Sequence, residues 1–177
     1  LAELPPKPKE GGSNLDQAES AKAKFEIVEV LKGDKIMVDQ RFVETQFFGD
    51  AKVGSMFLIL GLKDNAAKDA VHVAWATPIA ITERSRDYIV EAMNLPKEGV
   101  DRLDYFQNYL EDPEEMLARD AYDEFAKAPY ATILALKDKM HHDKLVEWIK
   151  NPKVHASRRR LYLTMLGVCG KPSDVPM

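Results

Sequence analysis

The sequence predicts an α+β protein in two parts: a small β-barrel over residues 1–83, packed against an α-helical segment over residues 84–177. Three observations carry this expectation. Short apolar runs rich in β-branched and aromatic residues follow one another at roughly ten-residue spacing as far as Pro78. From Arg84 onward, apolar residues recur at helical spacing instead. Finally, Ala118-Arg119-Asp120-Ala121-Tyr122-Asp123-Glu124-Phe125-Ala126 recurs in outline as Arg159-Arg160-Leu161-Tyr162-Leu163-Thr164-Met165-Leu166. The offset of about forty positions is a period of stacked helix pairs, and such stacks bind partners more often than they transform substrates.

In the first part, Leu1-Ala2-Glu3-Leu4 reads as the tail of a strand. Pro5-Pro6-Lys7-Pro8-Lys9-Glu10-Gly11-Gly12-Ser13-Asn14 is too polar and too rich in Pro and Gly to bury itself, which predicts an exposed, mobile loop across 5–20. Phe25, Ile27, Val28 and Val30 form a strand closed by a Gly33-Asp34 turn. Ile36, Val38, Phe42 and Val43 follow, then Phe47-Phe48 and a break at Gly49-Asp50. Residues 56–60 are the most apolar run, 63–70 a polar loop, and Val71, Val73 and Trp75 alternate as in a half-buried strand that Pro78 ends.

The second part opens with Tyr88, Ile89, Ala92 and Met93 on one helix, stopped by Leu95-Pro96. Leu103, Phe106 and Leu110 mark the next stripe. At Asp112-Pro113-Glu114-Glu115, Asp112 is placed to cap, Pro113 suits a first turn, and Glu115 completes a capping-box spacing. Leu117, Ala121 and Phe125 then share a face until Pro129. Ile133, Leu136 and Met140 form a further helix, Asp143 caps one through Leu145, Trp148 and Ile149, and Ser157 caps the last, with Gly167 and Gly170 as its stop. Halves of about 90 residues have small cores, so the apolar faces at Tyr88/Ile89 and Tyr105/Phe106 are expected to need cover from the barrel.

Two resemblances follow from these residues. Phe25-Glu26-Ile27-Val28-Glu29-Val30-Leu31-Lys32-Gly33, answered by Gly54-Ser55-Met56-Phe57-Leu58-Ile59, resembles the strands of netrin-like and related OB-type barrels of exported proteins. Arg159-Arg160-Leu161-Tyr162-Leu163-Thr164-Met165-Leu166-Gly167-Val168-Cys169-Gly170 is similar to the second helix of a HEAT or armadillo-type unit, within a segment of about 100–170. The resemblances imply an OB-like barrel followed by a HEAT-like repeat.

Composition narrows the function classes. With 45% hydrophobic and 31% charged residues the chain is ordinary for a globular protein. A net charge of −4 argues against general nucleic-acid binding, which needs a basic face to release counterions. No apolar run reaches the ~18 residues of a membrane span. A single cysteine, Cys169, excludes an internal disulfide and reads as a small buried residue. The start at Leu1 favours an exported protein of the periplasm or cell envelope over a cytoplasmic one, and the apolar helix near the end leads us to expect further helices beyond Met177.

Candidate chemistry is sparse. His141-His142-Asp143, with His155 nearby, is the densest group of metal-ligand types, yet neighbours on a helix point about 100° apart. The plainer reading is a helix end with a capping Asp143, so no metal is expected. Arg158, Arg159 and Arg160 sit at a helix start, where backbone N–H groups favour anions, and are the candidates for an anion or partner contact. Their plainer role is a salt-bridged ridge facing Asp120, Asp123 or Glu124. The carboxylates from Asp112 to Glu124 raise the question of acid–base work, but their positions fit helix first turns and solvated faces. No P-loop, dinucleotide fingerprint, nucleophile elbow or zinc-helix motif is present, so neither a catalytic residue nor a cofactor is assigned. The expected function is a non-enzymatic binding or scaffold protein acting through the helical repeat or the barrel surface. Its partner would be another protein, with self-association through the C-terminal helix as one form. The alternative is a hydrolase using carboxylates or the His141/His142 pair.

Overall fold

The computed structural model describes residues 2–3, 22–33, 35, 37, 39–49, 51–64 and 72–175. It is an α+β protein that divides into two compact units, Leu1–Arg86 and Asp87–Met177. The expected loop across 5–20, residues Asp34, Ile36, Val38 and Val71, and the chain end Pro176-Met177 lie outside the described residues.

In the first unit, strand β1 (Ala2–Glu3) pairs antiparallel with β2 (Lys22–Glu26), which pairs antiparallel with β3 (Phe42–Gln46). Period-2 alternation sets the buried face. Ala23 and Phe25 on β2 lie opposite Thr45 and Val43 on β3, and all four are buried. Phe47 continues this face, and Phe25, Phe47 and Phe57 pack edge-on with centroids 5.3–5.8 Å apart, the offset geometry that ring quadrupoles favour. Strand β4 (Met56–Leu58) pairs with β7 (Ile79–Ile81), and β5 (Gly61–Asp64) with β6 (His72–Trp75). Gly61 is required there: a Cβ would meet the Trp75 ring and Val73 at 2.7 Å.

Several expectations need correction. Among the described residues the strands form three separate sheets, and none closes into an OB-like barrel. The first strand stops at Glu26 rather than running through Val30, and Val28 is 83% exposed. One backbone bond, from the Ile27 N–H to the Arg41 carbonyl at 2.9 Å, carries the pairing past Glu26, and the apolar character of 28–30 reflects no strand. As expected the strand ends before Pro78, β6 stopping at Trp75, but Pro78 also precedes a further strand, β7, where its missing N–H costs no ladder bond. The polar run after residue 60 begins as strand β5, because pairing with β6 outweighs weak local propensity.

The second unit begins within helix α1 (Glu83–Asn94), which starts in the first unit. Its start is a reciprocal cap. The Ser85 N–H donates to Thr82 Oγ1 at 3.0 Å, and the Thr82 N–H donates to Ser85 Oγ at 3.3 Å. Gly99, at φ +111°, turns the chain into α2 (Val100–Phe106), which tightens into a 3₁₀ turn over Gln107–Tyr109. Then come α3 (Glu115–Lys127), α4 (Tyr130–Ala135) with a 3₁₀ turn at Lys137–Lys139, α5 (His142–Lys150), α6 (Ala156–Cys169) and a last 3₁₀ turn, Pro172–Asp174. Gly170 follows α6 because a Cβ there would meet the Leu166 carbonyl at 2.5 Å.

One apolar cluster runs through this unit from Tyr88 to Met165, with Phe106, Leu110, Leu117, Leu136 and Tyr162 fully enclosed. The Trp148 and Tyr162 rings lie 5.1 Å apart at its edge. Tyr88 and Phe106, expected to need cover from the other half, are buried inside this cluster. Helix α3 packs on α2, whereas α4 packs on α2 and α6, and α5 on α6. This is not the regular succession of helix pairs that a HEAT-like stack requires. The helices are too unequal: α4 has 6 residues and α6 has 14. The caps also differ. Asp112 accepts the Glu114 N–H at 2.9 Å in a turn before α3 instead of capping it. His155, not Ser157, caps α6, its Nδ1 taking the Ser157 N–H at 3.3 Å. Asp143 lies inside the first turn of α5, with His141 at the cap position.

Candidate functional site

The structure brings His142, Asp143 and Asp174 together where α5 begins. His142 Nδ1 lies 2.8 Å from Asp143 Oδ1, and its Nε2 lies 2.8 Å from Asp174 Oδ2. The Lys171 N–H donates to the same Asp174 Oδ2 at 2.6 Å. Asp174 and then Asp143 hold the His142 imidazole above its ordinary pKa, against burial and the Lys171 ammonium. His141 is moved the other way: burial first, then Lys144, favour its neutral form. The adjacent histidines thus differ in charge preference because one has two carboxylates and the other has a closed environment. Both line a cavity of about 410 Å³ with Met140, Lys144 and Lys171. Among the described residues no group of three or more His, Cys, Asp or Glu is arranged to hold a metal ion. His155 is occupied at the α6 cap.

The three arginines do not converge. Arg158 Nη2 donates to Glu115 Oε1 at 2.6 Å, and its Nη1 lies 3.9 Å from Glu111 Oε2. Its partners are therefore Glu111 and Glu115, not the expected Asp120, Asp123 or Glu124. Arg159 is half-buried and Arg160 exposed. The Nε of Arg159 and the Nδ1 of His141 are the buried side-chain nitrogens lacking a hydrogen-bond partner among the described residues.

The carboxylates hold helices together. Glu124 is 6% exposed and receives Arg102 through both oxygens, at 2.7 and 2.6 Å, plus Lys127 at 2.7 Å. Burial pushes this carboxyl up, but Arg102 and Lys127 outweigh it and hold the group below the usual range. Asp120 accepts the Tyr88 hydroxyl at 2.7 Å. Burial and that acceptor push the Tyr88 phenol far above its ordinary range. A second open cavity of about 360 Å³ lies beside these groups, with Ile89, Met93 and Leu95 on its apolar side and Arg102, Asp120 and Glu124 on its polar side. Tyr162 reaches Glu111 Oε1 at 2.6 Å and the Leu110 carbonyl at 3.1 Å. Burial pushes the Cys169 thiol up, so the nucleophilic thiolate is disfavoured.

Sequence reasoning found His141, His142 and Asp143 as a group but missed Asp174, 32 positions from His142. It also missed Gln107, which is 1% exposed. Gln107 Nε2 donates to Asp104 Oδ1 at 2.6 Å and the Lys139 carbonyl at 3.0 Å, and its Oε1 accepts the His141 N–H at 3.2 Å. The one signal for Gln107 was a polar residue next to the buried Phe106. Among the described residues no helix is long and apolar enough to cross a membrane. No protein-family model matches the chain, no curated protein matches its sequence, and no solved structure matches its fold.

Proposed function

We propose that the protein is a non-enzymatic binding module that recognises another protein through its helical unit, the part with the HEAT-like sequence resemblance. The observation that carries this reading is the set of exposed apolar side chains on regular helix faces; the β unit exposes still more, with Val28, Phe48 and Val53 outside its strands. Tyr130 and Leu134 share one face of α4, spaced i, i+4, and Leu163 stands on the outer face of α6; each is roughly half exposed. Large apolar groups near the centre of a surface are the usual anchors of a protein interface. The outer face of α6 otherwise carries Arg160, Thr164 and Gly167, which are polar or small. That composition suits a rim around an apolar contact better than a second buried core.

The rival reading, a hydrolase using carboxylates or the His141/His142 pair, has less support. Both His142 nitrogens already face carboxylates, and Glu124 and Asp120 are engaged by Arg102 and Tyr88. His141 Nδ1 has no partner but is buried, and a general base needs a free lone pair within reach of a substrate proton.

Photo-reactive residues placed at Leu134 or Leu163 test the proposal, with exposed Asp138 as the control site. A defined adduct at the two apolar positions is expected. It should disappear in Leu134→Glu and Leu163→Glu chains whose melting is unchanged. The same adducts at Asp138 as at Leu134 and Leu163 would sink the proposal.

A further inference from the structure

We propose that His142 is a proton-operated latch: it ties the C-terminal turn Pro172–Asp174 to the start of α5 most tightly when its imidazole carries both protons, and loosens residues 171–175 when one is lost.

The argument starts from the two 2.8 Å contacts. A neutral imidazole has one N–H and one lone pair. Here each ring nitrogen faces a carboxylate oxygen, Asp143 on one side and Asp174 on the other. With one proton, Nε2–H can stay on Asp174 only as a bond without the ring's positive charge, while Nδ1 turns its lone pair to Asp143. With two, both contacts are charge-assisted hydrogen bonds. The arrangement therefore selects the imidazolium.

The turn has little else to hold it. Lys171, Pro172, Ser173 and Val175 are exposed, Val175 by 82%, so no apolar side chain anchors the segment. Its backbone bonds are internal: Asp174 N–H to the Lys171 carbonyl, Val175 N–H to the Pro172 carbonyl, and Lys171 N–H to the Asp174 carboxylate. Asp174 alone in this turn is partly enclosed, with 16% side-chain exposure, and it is enclosed against His142. Asp143, by contrast, has a 97% exposed side chain. Water competes with it freely, so Asp174 is the partner that counts.

The charged groups facing His142 are Asp143 from its own helix and Asp174 and Lys171 from the turn. Lys171 opposes the imidazolium, but the two carboxylates outweigh it. The sign follows. The imidazole pKa is raised on folding, so the tie is complete below the ordinary value of about 6.5 and is lost as pH rises through the folded value. Asp174 is lowered, by His142 first and then the Lys171 N–H, so its contribution holds above the ordinary carboxylate value of about 4 and fades as pH falls further. The latch is closed in a window between these limits. Opening it removes Lys171 from the wall of the 410 Å³ cavity and uncovers His142.

The test follows the ring proton of His142 by NMR in the full chain, together with amide exchange at Lys171 corrected for its intrinsic pH dependence. His142 should titrate above the ordinary imidazole range. Asp174→Asn should lower that midpoint by more than Asp143→Asn does. Protection of the Lys171 amide should fall through the same interval. In a His142→Gln chain, protection should be low and flat with pH. A His142 midpoint at or below about 6.5 overturns the proposal. So does Lys171 protection that stays constant while His142 titrates, a result readable in the unmodified chain.

Discussion

Among the described residues of the first unit the core cluster consists of four buried ones, Ala23, Phe25, Phe47 and Ala51, with Phe57 and Ile59 at its margin. In the second, fourteen buried residues make one cluster, and thirteen partly buried ones pack on it. Polar ties differ in the same direction. The β unit places its ion pairs at the rim: Arg41 with Glu26 at 3.1 Å and Arg86 with Glu29 at 2.8 Å. The helical unit takes its pairs inward, with Arg102 and Glu124 at 18% and 6% exposure and Tyr162 fully enclosed against Glu111. A helix bundle can do this because its backbone is satisfied within each helix, leaving side chains to cross-link. Short strands spend their backbone groups on one another, and three small sheets leave edges and little interior.

If stability follows core size, truncating one core should not disturb the other. Phe106→Ala should cost about 3–5 kcal/mol in the helical transition followed by denaturant. Phe25→Ala should lower the β-unit transition and leave the helical midpoint where it was. A single shared transition that both substitutions move equally would break the contrast.

The inward ion pair gives the next effect. Arg102→Ala should destabilise the helical unit by up to about 3 kcal/mol, since it leaves a buried carboxylate with Lys127 as its remaining cation partner among the described residues. Glu124 has a pKa lowered on folding, so its stabilisation is present above the ordinary carboxylate value of about 4.3 and lost as pH falls through the folded value. Glu124→Gln should flatten the acid limb of the stability profile. An unchanged limb would assign acid sensitivity elsewhere.

The smallest effects should separate the two kinds of polar tie. Tyr162→Phe removes one buried hydroxyl bond and should cost about 1 kcal/mol. Arg41→Ala, at a side chain 76% exposed, should leave the melting midpoint unmoved. A larger shift for Arg41 than for Tyr162 would reverse the comparison.

The same contrast explains how much was legible in the sequence. Helical periodicity located Tyr88, Phe106, Leu117, Phe125 and Leu136 in the core, because a 3.6-residue period is a property of the local chain. Strand pairing is non-local, so the apolar run to Val30 overextended β2, and β7 after Pro78 went unseen. Closure into a barrel was an inference from strand spacing, and spacing does not specify which strand meets which. At the candidate site, the His141-His142-Asp143 run was visible and Asp174 was not. The arginine run was visible too, but adjacency in sequence did not place the three side chains together. Arg158 alone found acids, one helical turn and more upstream of those expected.

The chain has two tryptophans, and each unit holds one: Trp75 on β6 and Trp148 on α5. Trp148 sits 5.1 Å from the Tyr162 ring, close enough for tyrosine excitation to pass to it before the tyrosine emits. All six tyrosines lie in the helical unit, so excitation at the red edge, where tryptophan alone absorbs, is what makes a Trp75→Phe chain emit from the helical unit and a Trp148→Phe chain from the β unit. The molecule carries a separate optical channel for each of its two parts, so their unfolding can be watched independently without any added dye.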